Sequence, residues 1–182
     1  LFYVYFGLRM KQRAPLLFAA LCLLMFLTPL FPIIHCLLEL SIFPWYALEL
    51  LCIYLMMLLV IILHNNLCDA GYYCRRISTI ISAVFCLLAG CYGFFSVHLT
   101  VPVMQLFSRC LFVYKIAFAV YLLITAGTSL KRLNEASKPL FFAAIAYAVV
   151  FVWDRILPGY EPILFGWFMD WGSLIIMCAI GY

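Results

Sequence analysis

Charge is what this chain has least of: seven acidic and eleven basic side chains serve 182 residues. Charged residues make up 10% of the sequence and hydrophobic ones 69%, with a mean hydropathy of +1.19. A soluble domain carries about a quarter of its residues charged. With so little polar surface to offer water, this chain is excluded from the soluble globular class and must live in lipid. Soluble-enzyme signatures are missing as well: no GxGxxG, P-loop, HExxH or GxSxG occurs. There is no basic patch of the kind nucleic acid requires, so a nucleic-acid partner is excluded.

Long apolar runs are what the sequence does have. Six of them approach or exceed the roughly 20 residues that span a hydrocarbon core: Pro15 to Ile34, Pro44 to His64, Ile77 to His98, Pro102 to Ala126, Pro139 to Trp153 and Pro162 to Ile180. Ahead of them stands Leu1 to Leu8, about 12 Å of helix against roughly 30 Å of hydrocarbon. It reads as the end of a truncated first helix. A signal-peptide remnant is the alternative, but there the basic residues precede the apolar stretch, whereas here they follow it. The expected fold is an all-α, polytopic membrane helix bundle forming a single transmembrane domain over residues 1–182. It would have six complete spans plus the truncated helix, seven in the parent domain.

The basic residues assign an orientation. Eight of the eleven fall in three stretches, Arg9/Lys11/Arg13, Arg75/Arg76 and Lys131/Arg132/Lys138. Alternation of the spans places all three on one side, and the positive-inside rule makes that side the cytoplasm. The opposite connections, His35 to Phe43, Ser96 to Val101 and Asp154 to Glu161, contain Arg155 as their one basic residue. The expected location is the bacterial inner membrane, multi-pass, with the N-terminus outside and Tyr182 in the cytoplasm.

Prolines mark five of the six starts, Pro15, Pro44, Pro102, Pro139 and Pro162, where a missing N–H costs nothing because the first helical donors have no partner. Pro29 and Pro32 should kink or end the run that contains them. Trp45, Tyr46, Tyr72, Tyr73, Trp153 and Tyr160 gather at the expected interfaces. Gly90 and Gly93 with Ala89, and Gly166 and Gly172 with Ser173, thin one helix side for close packing.

Nine cysteines resemble a chemical signal, yet six of them, Cys22, Cys52, Cys86, Cys91, Cys110 and Cys178, lie within apolar runs, where a thiol behaves as a small hydrophobe. Cys68 and Cys74 fall on the cytoplasmic side, where thiols stay reduced, and Cys36 has no outer partner, so no disulfide is expected. His64, Cys68, Asp69 and Cys74 match no usual zinc spacing. Neither a metal nor a cofactor is expected.

Ionisable groups inside the runs are expensive in lipid and usually face the bundle or a water-filled cavity. Counted from the outer ends, Glu49 lies about 8 Å deep, Arg109 about 10 Å, Asp170 about 12 Å and Lys115 about 20 Å. Glu49, Arg109 and Asp170 share a level, near a rim that holds His35, Glu39, His98, Asp154 and Arg155. This polar cluster is either a static network that fixes packing or a signal-sensitive or ligand-binding site. Lys115 points about 120° away from Arg109 and so serves a different place. Snorkelling toward the cytoplasmic headgroups, or pairing within the bundle, accounts for it. A retinal Schiff base is excluded because that chemistry requires a lysine on the last span, which has none.

The order of features carries a resemblance. An outer-to-inner truncated helix precedes a run opening after a basic turn, Arg13-Ala14-Pro15-Leu16-Leu17-Phe18-Ala19. A central basic connection follows, then a run ending Phe151-Val152-Trp153-Asp154-Arg155-Ile156-Leu157, and a last run leading inward. This arrangement resembles, over essentially the whole chain, the membrane region of the bacterial seven-transmembrane receptors with diverse intracellular signalling modules. In that family the penultimate span commonly ends in an Asn-Asp-Ile-Leu-like sequence. Asp154 is kept here, Trp153 stands in the Asn position and Arg155 is inserted. The resemblance implies a relay that is not itself an enzyme, joining an extracellular sensing domain to a cytoplasmic histidine kinase of a two-component system, a diguanylate cyclase or a phosphatase. A homodimer is a further expected partner, beside the lipid bilayer. The relay would work by altered pairing among Glu49, Arg109, Asp170, Asp154 and Arg155.

Two other classes remain open. A small transporter or channel would need a polar path through an inner half that offers Lys115, His64 and scattered hydroxyls such as Ser108 and Thr125, and the sequence shows no inverted repeat. A membrane-embedded enzyme would need a convergent set that Asp154, Asp170, Glu161, His35 and His98 could supply at the outer rim.

Overall fold

The computed structural model describes residues 13–38, 42–132, 137–156 and 168–181. The expected truncated helix at 1–8, Pro162 and the rim residues Glu39 and Glu161 lie outside them. So do the side chains of His35, Cys36, Asp154, Arg155 and Asp170, although the helices run through those positions. Among the described residues the chain is helical, with no strand: α1 (Arg13–Leu37), α2 (Ile42–Leu67), α3 (Tyr72–Phe95), a 3₁₀ turn (Ser96–His98), α4 (Val101–Lys131), α5 (Ser137–Ile156) and α6 (Phe168–Gly181).

Three of these helices are long and apolar enough to cross a membrane: Trp45–Leu67 of α2, Tyr72–His98, and Val101–Lys131 of α4. Arg13–Thr28, Ser137–Val150 and Trp171–Gly181 are shorter apolar helices. Length explains where the boundaries moved. The 31 residues of α4 extend about 46 Å, well past a hydrocarbon core of about 30 Å, so its last turns carry Ser129 and Lys131 beyond the expected end at Ala126. Similarly, α3 begins at Tyr72 rather than Ile77, which puts Arg75 and Arg76 in its first turns instead of in a loop.

Neither Pro29 nor Pro32 ends α1, which continues to Leu37. In a hydrocarbon setting, stopping would leave the remaining carbonyls without partners, at a cost of several kcal/mol each. Just before the first of them, the Thr28 hydroxyl donates to the Leu24 carbonyl at 2.9 Å.

The packing inverts the pattern of a soluble helix. On α3 the buried side is made of small residues, Ser82, Cys86, Ala89 and Gly93, while Ile77, Ile80, Ile81, Val84, Leu87 and Phe94 are exposed. The same outward apolar stripe recurs as Val113, Ile116, Val120 and Ile124 on α4, and as Phe142, Ile145, Val149 and Val152 on α5. The α3 arrangement, bulk pointing out and small residues pointing in, matches helices associating within lipid, where close backbone approach supplies the attraction, whereas α4 also buries Leu111, Tyr114, Phe118 and Leu122. The expected close approach occurs: a β-carbon at Gly93 would meet the Ala47 Cα at 2.9 Å, and one at Gly172 would meet Tyr147 at 3.3 Å. Gly166 lies outside the described residues.

α2 is the hub of the first three helices, packed on both α1 and α3, and α5 is the hub of the last three, packed on α4 and α6. At one end of the bundle the start of α1 meets the end of α6, where Phe18 covers Gly181. At that same end the termini of α2 and α4 join the start of α3 through side-chain hydrogen bonds. Exposed Arg13, Arg75, Arg76, Lys131, Arg132 and Lys138 all belong to this end, which we call the basic end.

Candidate functional site

Two polar regions stand out from the apolar bundle, one at each level. Under the basic end, the last two turns of α2 carry His64 and Asn65, both at most 1% exposed. Helix α4 meets them with Tyr121, Thr125 and Ser129, which recur every four residues and so share one face. The Thr125 hydroxyl donates to the Tyr121 carbonyl at 2.8 Å. Its oxygen also lies 2.8 Å from His64 Nε2, which links the ends of α2 and α4. Asn65 Nδ2 donates to Ser78 Oγ at 2.9 Å, and the Tyr121 hydroxyl donates to Asn65 Oδ1. Ser78 in turn donates to the Arg75 carbonyl at 3.1 Å, so three helices are tied together by groups with complementary partners.

The turn that follows α2 is a Schellman motif: Ala70 N–H donates to the Asn65 carbonyl at 3.0 Å, and Asp69 occupies the left-handed position with φ 49°. Asp69 thus closes a helix. A cavity of about 190 Å³ opens beside this turn, with Cys68, Asp69, Cys74, Thr125, Thr128 and Arg132 on its walls. Of the four residues weighed as metal ligands, His64 and Cys68 meet at 3.5 Å, whereas the Cys74 thiol turns to the Tyr121 hydroxyl at 3.5 Å. Among the described residues no group of three histidine, cysteine or acidic side chains is arranged to hold a metal ion, and the eight described cysteines are free thiols.

Burial pushes the Cys68 thiol from its ordinary 9.0 up to about 11, against a smaller opposite effect of its hydrogen bond to Ser129. The fold favours the neutral thiol, so its contribution to stability is complete below about pH 9 and is lost as pH rises through about 11. Cys74 is exposed. A water-soluble maleimide at neutral pH is therefore expected to label Cys74 at least about a hundredfold faster than Cys68, since only the accessible thiolate reacts. Peptide mass analysis over time reads the ratio, and equal rates would contradict the buried position of Cys68.

In the other half of the bundle, α2, α3 and α4 diverge around a second cavity of about 160 Å³. Tyr46 and Tyr54 on α2, Tyr92 on α3, and Ser108, Phe112 and Lys115 on α4 line it. Tyr46, 43% exposed, forms the mouth. The Lys115 ammonium lies 6.0 Å from the centre of the Tyr54 ring, and the Tyr54 hydroxyl donates to the Leu111 carbonyl at 3.4 Å. Snorkelling of Lys115 toward the basic end is thus corrected, and its placement within the bundle is what the structure shows. The cause is helical geometry: long side chains lean toward the N-terminus of their own helix. On α4 that direction leads away from the basic end.

An aromatic column leaves the inner wall of this cavity. Tyr54 stacks on Tyr114 at 5.9 Å, which also stacks on Phe85 at 4.4 Å. Tyr114 contacts Phe118 at 6.4 Å, and Phe118 meets Tyr147 edge-on at 5.8 Å. Tyr147 then fills the space over Gly172 of α6.

Of the polar cluster expected from shared depth, Glu49 is half-buried on α2 and Arg109 sits on the exposed face of α4. The side chains of Asp154, Arg155 and Asp170 lie outside the described residues. Sequence reasoning missed Asn65, Ser78 and Tyr121. The available signal was the spacing of four in Tyr121, Thr125 and Ser129, and the same spacing in Tyr46, Leu50 and Tyr54, which places each set on one helix face.

These features define a helical bundle, three of whose described helices are long and apolar enough to cross a membrane, with two separate cavities. Comparison with protein-family models, with curated proteins and with solved structures finds no match.

Proposed function

We propose that this chain is the multi-pass signal-relay region of a bacterial inner-membrane receptor, with its six helices as spans and the basic end in the cytoplasm. A stimulus at the outer side shifts α2 and α4, and α6 carries the shift to a cytoplasmic effector of the histidine kinase or diguanylate cyclase type. The observation that supports this most directly is the aromatic column from the cavity at Lys115, through Tyr114, Phe118 and Tyr147, to Gly172 on α6. Packed side chains of this kind resist continuous deformation and so move in discrete arrangements. Glu49, Arg109, Asp154, Arg155 and Asp170 belong to the outer level of the same relay, as charges whose pairing changes with the stimulus.

A relay is favoured over a pore by the apolar packing where α1, α2, α4, α5 and α6 meet. Leu21, Met57, Val60, Phe118, Tyr147 and Ile176 fill the middle of the bundle and leave about 20 Å³, room for about one water.

Topology reporters test the orientation on which the proposal stands. A fluorescent protein fused after Tyr182 is expected to fluoresce, and alkaline phosphatase at the same point to be inactive. Active phosphatase would place that end outside and overturn the relay together with its direction.

A further inference from the structure

We infer that the cavity between α2, α3 and α4 is a binding site for a small aromatic carboxylate, one ring and one anionic group, entering from the end opposite the basic residues. The inference rests on the relay reading and names the class of its stimulus. Three observations carry it. The first is size: the cavity holds about 160 Å³, and one of about 150 Å³ lined by apolar side chains accepts a single benzene ring. The second is the wall: Tyr46, Tyr54, Tyr92 and Phe112 offer ring faces and edges from three helices, the surfaces against which an aromatic ring packs in offset or edge-on geometry. The third is charge: Lys115 brings an ammonium group into this wall, 6.0 Å from the Tyr54 ring centre, with the Ser108 hydroxyl lining the same space.

Inside a cavity walled partly by tyrosine rings and aliphatic carbon, the Lys115 ammonium attracts an anion more strongly than it would in open water, because screening is reduced. A neutral ring gains the wall contacts but not this attraction, and a cationic ring is repelled. The mouth also suits such a ligand. Tyr46 is exposed near the start of α2, while the other end of the space is closed by the stacked Tyr54, Tyr114 and Phe85. A ring seated against Tyr54 therefore presses on the head of the aromatic column.

The probe is benzoate, titrated calorimetrically into the full chain in phosphatidylcholine nanodiscs, beside benzyl alcohol and benzylamine, which share its ring. Benzoate is expected to saturate one site at least about tenfold more tightly than benzyl alcohol, with no saturable binding of benzylamine. Lys115→Met is expected to abolish the preference for benzoate, and Lys115→Arg to retain it. Leu50→Trp, which keeps the charge but fills the cavity, is expected to abolish binding of both rings. The assignment is overturned by absence of saturable benzoate binding, by equal affinity for benzoate and benzyl alcohol, or by benzoate affinity unchanged in Leu50→Trp. Because binding is read directly, a failed titration removes the ligand class and leaves the relay to its topology test, whereas an inverted topology leaves the titration standing.

Discussion

Gly93→Val is expected to destabilise the bundle by about 3 kcal/mol, the upper end of the range for overpacking. The reason lies in what the new side chain meets. Even its first carbon would stand 2.9 Å from the Cα of Ala47 and 3.1 Å from its Cβ. A flexible neighbour could rotate aside, but Ala47 is fully buried and the contact is backbone. Helices α2 and α3 must therefore separate along the small-residue stripe of Ser82, Cys86, Ala89 and Gly93. In lipid that separation removes the packing attraction itself, with no gain from burying apolar surface to offset it. Gly71 provides the comparison. A β-carbon there meets nothing within 4 Å, and the residue caps α3 at φ −55° without a side-chain hydrogen bond. Gly71→Ser is expected to be neutral or stabilising by roughly a few tenths of a kcal/mol through a new N-cap. Thermal unfolding in detergent micelles reads both. A Gly93→Val protein as stable as the wild type would mean that α2 and α3 do not approach as described.

Much of this was legible in the sequence because it depends on composition and period. Gly90, Gly93 and Gly172 announced close helix contacts, and the basic stretches announced a common end, since both follow from rules that act on one residue type at a time. The expected starts at Pro44, Pro102 and Pro139 fell within the first three residues of α2, α4 and α5, because proline is tolerated there and hardly elsewhere. Of the two outcomes expected at Pro29 and Pro32, a kink or an end, the end does not occur, because hydrocarbon strongly penalises an interrupted helix.

Depth along a helix is one of the two coordinates that decide partnership. Glu49, Arg109 and Asp170 were grouped because their distances from the outer end agree, but depth fixes one cylindrical coordinate and leaves the angle free. Where the angle could be counted along one helix, as for Arg109 and Lys115, the expected separation is found. They share α4, yet Lys115 reaches the cavity with Tyr54 while Arg109 occupies an exposed face. The network of His64, Asn65, Ser78 and Tyr121 was hidden for another reason. Its members lie on three helices, and only the packing angle between those helices decides which polar side chains meet.

Tyr147→Ala is expected to remove the response of a cytoplasmic reporter while leaving ligand binding in the cavity intact. Tyr147 is the one member of the column that touches both Phe118 and the last helix, where its ring lies 3.3 Å from the position a Gly172 β-carbon would take. Truncating it deletes the contact and opens a void, at about 3 to 5 kcal/mol for a large aromatic in a packed core. Stability and transmission therefore have to be separated. In a chimera with a diguanylate cyclase after Tyr182, Tyr147→Phe keeps the ring and its packing and is expected to signal like the wild type. Phe142→Ala, on the same helix but on its exposed apolar stripe, is expected to leave both stability and output within about 0.5 kcal/mol or its equivalent in signal. The informative readout is benzoate-dependent cyclase activity at matched protein levels, measured well below the unfolding temperature of the weakest variant. Output lost in Tyr147→Ala but kept in Tyr147→Phe and Phe142→Ala assigns transmission to the ring. Output that survives in Tyr147→Ala would mean that α6 receives its displacement from α1, through the contact of Phe18 with Gly181, and that the column is packing alone.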